Sequence, residues 1–266
     1  MKKIILLLIP FLIGGCQKKF NDVIGTASYN DIQVKQVPTA DSFKYSVIDS
    51  SLTVSVTLTS SENVKEVYCN IFTPDGDQLN STPFQLFDSG NITLNDDSLK
   101  GDNQYSNLFP LSRNYVTGNY KIQYYVEDIS GNTKLLAYHY FNYNPGTPNV
   151  APVISDLIAP DTATIGTSDL YLVITIKAQD GNGLQDIQSV YFNSYIPPNG
   201  APSTNNPYYL TDDGKNGDLT AGDGIYTITI VLPSTGVNTG KYRWEFFAKD
   251  RSGALSNKIT HYIVIR

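Results

Sequence analysis

Sulfur and imidazole are scarce in this chain: two cysteines, one methionine and two histidines in 266 residues. Two cysteines allow at most one disulfide, so a cystine framework cannot be what holds the fold together. Two histidines, His139 and His261, leave little acid–base machinery at neutral pH. Charge is also sparse, at 17% of residues, and the only adjacent basic pairs are Lys2-Lys3 and Lys18-Lys19. The net charge is −6, and losing Lys2 and Lys3 with a leader would lower it by two more. Without a positive patch to neutralise phosphates, a nucleic-acid partner is excluded. No apolar run after residue 13 is long enough to span a bilayer, and no stretch keeps a helical period. What the chain does have is rings, 19 Tyr and 11 Phe, enough to fill substantial cores.

One stretch occurs twice. Residues 117–132 read TGNYKIQYYVEDISGN and residues 239–254 read TGKYRWEFFAKDRSGA. Alternate residues separate the first into Tyr120, Ile122, Tyr124 and Val126 against Lys121, Gln123, Tyr125 and Glu127. The second separates into Tyr242, Trp244, Phe246 and Ala248 against Arg243, Glu245, Phe247 and Lys249. Successive strand side chains point to opposite faces, so each copy predicts a half-buried strand closed by an Asp-x-Ser-Gly turn.

The duplication extends outward from these strands. Leu52, Val54, Val56 and Leu58 alternate with Thr53, Ser55, Thr57 and Thr59, and we align them with Leu170, Leu172, Ile174 and Ile176 in the second copy. Val67-Tyr68-Cys69-Asn70 aligns with Val190-Tyr191-Phe192-Asn193, so Cys69 stands where the second copy has a Phe and reads as a small core hydrophobe. Pro74-Asp75-Gly76 aligns with Pro198-Asn199-Gly200. About seven short strands per copy, with turn signals between them, predict two antiparallel sandwiches, at 29–144 and 153–266. Between them, 145–152 carries three prolines and reads as a semi-rigid linker. The string Leu232-Pro233, Thr239-Gly240-Lys241-Tyr242, Asp250-Arg251-Ser252-Gly253 resembles bacterial Ig-like and fibronectin-type-III-like modules of secreted and surface proteins. The resemblance implies an all-β chain of two tandem Ig-like sandwiches. It implies no single function, because such modules serve as spacers, adhesins and ligand-binding domains alike.

The N-terminus reads as an address. Lys2-Lys3 precedes an apolar run to Ile13 and then Gly14-Gly15-Cys16, the layout of a cleaved secretory leader over 1–15. Leu12-Ile13-Gly14-Gly15-Cys16 also resembles the bacterial lipobox, which implies diacylation of Cys16 and a membrane held through lipid, with 16–28 as a polar tether. Gln17 is not the Asp linked to inner-membrane retention, so the expected location is the bacterial outer membrane, with either face open.

Three constellations are candidates for chemistry. The loop 211–226 offers Asp212, Asn216, Asp218 and Asp223 around Gly217, a partial echo of a calcium loop; Gly214 occupies one ligand place and no helix flanks it. A plain Asx/Gly connection competes with that reading and is favoured, so no cofactor is expected beyond a candidate Ca2+. The run Asp180-Gly181-Asn182-Gly183-Leu184-Gln185-Asp186 is a weaker second cation loop. Outward rings come next: Tyr125 and Phe247 on the charged strand faces, and Tyr195, Tyr208 and Tyr209 around a Pro-rich loop, as a contact surface for a protein or glycan. The competing reading pairs each outward ring with a neighbour across the sheet. His139 and His261 sit at equivalent places a whole sandwich apart, so they are not expected to share a catalytic site. The expectation is a non-enzymatic envelope lipoprotein acting in adhesion, scaffolding or spacing, with glycan binding as the alternative.

Overall fold

A computed structural model describes residues 32–266. The leader 1–15, Cys16, the tether 16–28 and the expected first residue of the first sandwich lie outside the described residues. Among the described residues no helix is long and apolar enough to cross a membrane.

The chain forms two antiparallel β-sandwiches in tandem. In the first, β1 (Val34–Gln36), β3 (Ser51–Leu58) and β6 (Gln104–Pro110) make a three-stranded sheet in the order β1-β3-β6. Against it lies a five-stranded sheet, β2-β8-β7-β4-β5, from β2 (Ser42–Lys44), β8 (Thr133–Asn144), β7 (Gly118–Asp128), β4 (Val64–Phe72) and β5 (Phe84–Leu86). One helical turn, α1 (Ile92–Asn95), interrupts the long connection from β5 to β6. The second sandwich repeats the plan. Here β9 (Val153–Ile158), β11 (Leu170–Gln179) and β15 (Ile225–Leu232) form the smaller sheet. The larger sheet runs β10 (Thr162–Ala163), β17 (Ile259–Ile265), β16 (Gly240–Asp250), β12 (Ile187–Ile196) and β13 (Ala201–Pro202), with β14 (Tyr208–Leu210) also on β12. In each unit the opening segment divides between the two sheets. Its second piece pairs in parallel with the last strand, β2 with β8 and β10 with β17; every other pairing is antiparallel.

Alternation fixes which residues meet between the sheets. Tyr120, Ile122, Tyr124 and Val126 of β7 are buried, and Trp244, Phe246 and Ala248 of β16 are buried in the matching core. Facing them are Leu52, Val54 and Val56 in the first unit and Leu172, Ile174 and Ile176 in the second. The tyrosines sit deep only because their hydroxyls find acceptors. Tyr124 Oη lies 2.7 Å from Thr39 Oγ1, and Tyr143 donates to Ser112 O at 2.7 Å. Tyr120 donates to Val116 O at 3.0 Å and Tyr242 to Asn238 O at 2.8 Å, the same four-residue reach in both copies. That is the tyrosine corner of Ig-type sandwiches, and it explains why both copies of the repeat place a Tyr just after Thr-Gly.

The aligned copies need two adjustments. Val56 pairs with Tyr105 and Ile176 with Tyr226, while Leu58 N–H donates to Asn103 O and Ala178 N–H to Gly224 O. The counterpart of Leu58 is therefore Ala178, not Ile176. Likewise Pro197, not Pro198, is the counterpart of Pro74, since these two rings crowd Gly240 and Gly118 in turn. The strand expected to be polar on its outer side also buries Ser55 and Thr57. Thr39 Oγ1 donates to Ser55 O and accepts from Ser55 N–H, while Thr57 Oγ1 accepts from Gln36.

The linker is pinned as well as stiff. Asn182 accepts from Val150 N–H at 2.7 Å and donates to Pro148 O at 3.0 Å, and Asn149 donates to Asp250 at 2.7 Å. Arg251 reaches across to the first unit and donates to both carboxylate oxygens of Asp75 at 2.7 Å. A cleft of about 430 Å³ between the units is lined by Tyr115, Thr117, Asn149, Asn182 and Asp186 among others.

Candidate binding face

The outer side of the larger sheet is where the structure gathers rings. In the second unit Tyr191 of β12 pairs with Phe247 of β16 on one side and Tyr209 of β14 on the other. Their centroids lie 5.8 and 6.1 Å apart, so the three rings form one row across three strands. Tyr209 is 58% exposed, and Phe247 and Tyr191 are half-buried. Beside the row is a shallow depression of about 470 Å³ lined by Gln188, Ser189, Asn193, Pro207 and Lys249 with Tyr191 and Tyr209. Rings with amide, hydroxyl and ammonium groups at their edge can stack on an apolar face and hydrogen-bond a polar rim at once.

Register extends the pattern. Two pleats along from Tyr191, Tyr195 pairs with Arg243, which pairs with Tyr262. The Arg243 guanidinium sits 4.1 Å from the Tyr195 ring centre, and Lys241 covers Tyr262 at 4.3 Å. Between these rows lie Asn193, Glu245 and Thr260. The first unit carries the same arrangement. Tyr68 and Tyr125 stack at 5.3 Å across β4 and β7, and Phe72 pairs with Lys121, whose ammonium lies 4.7 Å above the Phe72 ring. Where the second unit has Tyr209, the first has Gln85 opposite Tyr68, so among the described residues the three-ring row is found only in the second unit.

The structure thus separates the five rings singled out in the sequence. Phe247 and Tyr209 join one row, and Tyr195 lies in the next. Tyr208 turns inward and stacks on Phe192 at 5.0 Å. Tyr125 belongs to the first unit, paired with Tyr68 and donating to Gln123 at 2.7 Å. Tyr191 and Tyr262 were not singled out. Their alternation with core neighbours places them outward, but identifying their row partners needed the register.

The acidic loop of the second unit draws Asp212, Asp218 and Asp223 together, with one oxygen of each inside 4.8 Å of the others. Asn216 instead contributes its carbonyl, which accepts from Thr229 at 2.6 Å. Asp212 accepts from Gly222 and Gly224 N–H, Asp218 from Gly214 N–H and Asp223 from Ile225 N–H. The first unit repeats this closure with Asp88, Asp97 and Asp102. There Asp88 accepts from Gly101 and Asn103 N–H, and Asp97 from Ser89 and Gly90 N–H. Backbone amides occupy these carboxylates in both copies, which is the work of a loop closure.

The histidines play matching parts. His139 Nε2 lies 3.2 Å from Ala40 O and His261 Nε2 3.0 Å from Pro160 O. Each pins the last strand of its own unit to the crossover between the two sheets. Cys69 is fully buried, and burial pushes its thiol far above the ordinary range, which suppresses the thiolate.

No family profile matches the chain, and no curated protein matches it. Similar solved structures include a tetra-tandem repeat from the extending region of a large adhesion protein, at 14% identity and a TM-score of 0.40, covering 84% of this chain and 48% of that one. The chain therefore spans about half the length of that relative. Fibronectin(III)-like modules of CbhA from Clostridium thermocellum match at 16% identity and a TM-score of 0.29, over 88% of this chain and 94% of that one. A mutant of the SrpA adhesin from Streptococcus sanguinis matches at 17% and 0.30, over 45% of this chain and 60% of that one. The assignment to tandem Ig-like sandwiches rests on the sheet order, the parallel first-to-last pairing and the two tyrosine corners.

Proposed function

We propose that this chain is a non-enzymatic envelope protein, held to the bacterial outer membrane through a lipid on Cys16, that displays a recognition face on its second sandwich. The observation that carries the reading is the row Phe247–Tyr191–Tyr209, which lies open on the sandwich farther along the chain from the proposed anchor. The lipid fixes one end, the pinned linker limits bending, and the ring face meets an adhesion or scaffold partner.

Glycan binding is the second reading, favoured by the depression beside the row, where Asn193, Gln188 and Lys249 offer hydrogen bonds around stacked rings. Both readings place the contact on the same face, and they differ in what it retains. The chain should be held back on a polysaccharide column, or capture a partner from envelope extract, and Tyr209→Ala and Phe247→Ala should each weaken this at least tenfold with an unchanged circular dichroism spectrum. Unaltered retention and capture in both variants would remove the ring face from the account.

A further inference from the structure

Asp180, Asp186 and Asp250 meet at the end of the second sandwich that faces the first. Asp180 follows β11, Asp186 ends a single 3-10 turn (Leu184–Asp186), and Asp250 ends β16. One carboxylate oxygen of each lies within 4.8 Å of the other two. Asp250 is fully buried, and Asp186 is 5% exposed.

Their hydrogen bonding differs from that of the two loop closures. Asp250 is satisfied on both oxygens, by Ala254 N–H and by Asn149, each at 2.7 Å. Asp180 Oδ1 accepts from Asn182 N–H at 2.7 Å, but its Oδ2 is buried without a partner. The hydrogen bonds of Asp186 run through its backbone, to Gly183 O and from Arg251 N–H. Among the described residues none reaches its carboxylate. Arg251, the cation closest in sequence, sends its guanidinium to Asp75 and to Gln185 O.

Buried polar atoms are almost always partnered, and crowded carboxylates cannot all ionise unless a positive charge joins them. Burial raises the carboxyls of Asp180 and Asp186 above the ordinary range, and repulsion from their acidic neighbours adds to the shift. The first sandwich does not share the feature. Its strand register puts Val64 opposite Asp128 where the second has Ile187 opposite Asp250, so Asn63 stands in the place of Asp186. Asp128 there is taken up by Ser130 and Asn132 N–H. Among the described residues, the crowded, under-bonded trio therefore occurs only in the unit whose loops meet a preceding sandwich.

We propose that Asp180, Asp186 and Asp250 hold a hard divalent cation of the calcium class at the junction of the two sandwiches. The donors are oxygens alone, with no thiolate or imidazole in the trio, which suits calcium over zinc. Asp186 also lines the cleft between the units, giving the ion a way in and room for water to complete its shell. Asn149 of the linker bonds Asp250, Asn182 beside Asp180 holds Pro148 and Val150, and Arg251 beside Asp250 holds Asp75. Occupancy therefore fastens the linker and the first sandwich to the second. This is independent of what the ring face binds.

The test uses the full chain in detergent, stripped with a chelator and titrated calorimetrically with CaCl2 and, separately, MgCl2. One calcium site with Kd below about 1 mM is expected, the range of extracellular modules, with weaker magnesium binding. Asp186→Asn and Asp180→Asn, which keep shape and remove charge, should each weaken calcium at least tenfold; Asp223→Asn should leave it unchanged. Calcium should also slow proteolytic cleavage within 145–152 in the unaltered chain and not in Asp186→Asn. The unaltered chain decides occupancy whether or not a variant folds. No calcium heat up to about 10 mM, or a site that survives both junction replacements and disappears in Asp223→Asn, would overturn the proposal. Equal cleavage with calcium and chelator would overturn its tie to the linker.

Discussion

Cys69 shows how a single position can be read correctly from an alignment of the chain with itself. It occupies the place of Phe192, between the sheets, and is fully buried. Replacing its sulfur by a hydroxyl leaves a polar group that must find a partner in an apolar layer, a penalty of about 1–3 kcal/mol. Cys69→Ser should lower the urea midpoint of the first sandwich accordingly, and the native thiol should resist alkylation until urea opens the core. The buried tyrosines predict a response to alkali. Burial pushes the phenols of Tyr143 and Tyr226 up to about 12, whereas an unfolded phenol ionises near pH 10. Both shifts are upward, so the stability they confer is intact below about pH 10 and is lost as pH rises towards about 12. Thermal melts at pH 9 and pH 11.5 should differ in that direction. Asp250 was opaque for a physical reason: the sequence offered Asp180 and Asp186 as ends of a weak cation loop, but Asp250 lies far from them along the chain and joins them only when the strands β12 and β16 bring their ends together.

At the scale of the element, alternation identified strands and their inner faces well. Tyr120, Ile122 and Tyr124 are inside as predicted, and so are Trp244 and Phe246. What alternation cannot report is a slip of two residues, because the pattern is unchanged by it. This is why Leu58 was aligned with Ile176 when hydrogen bonding makes Ala178 its counterpart. The ring rows were hidden likewise, since they depend on which outward residue of β12 lies beside which of β16. The Thr-Gly pair before each tyrosine was legible as a repeat but not as a requirement. Gly118 has φ +143° and Gly240 φ +130°, and a Cβ there would stand 2.8 Å from Pro74 and 2.9 Å from Pro197. Backbone strain and the clash act together, so Gly118→Ala and Gly240→Ala should each destabilise their own sandwich by about 1–3 kcal/mol, read from denaturant unfolding.

For the whole molecule, the sequence showed two copies and a proline-bearing connection, and the structure adds how the copies are joined. Prolines stiffen 145–152, but Asn149, Asn182 and Arg251 are what dock it. The sequence offered them only as loop residues, because their partners lie across the junction. The parallel pairing of β2 with β8 and of β10 with β17 has a mechanical consequence. A tension applied between the two ends of either sandwich drags these neighbouring strands in opposite directions along their length, so their hydrogen bonds bear the load together instead of opening one at a time. Single-molecule stretching from the termini should therefore give a higher rupture force than peeling β17 away from β16 through handles placed on those two strands. A protein tied to a cell at one end and gripping something at the other would meet shear flow with its strongest geometry.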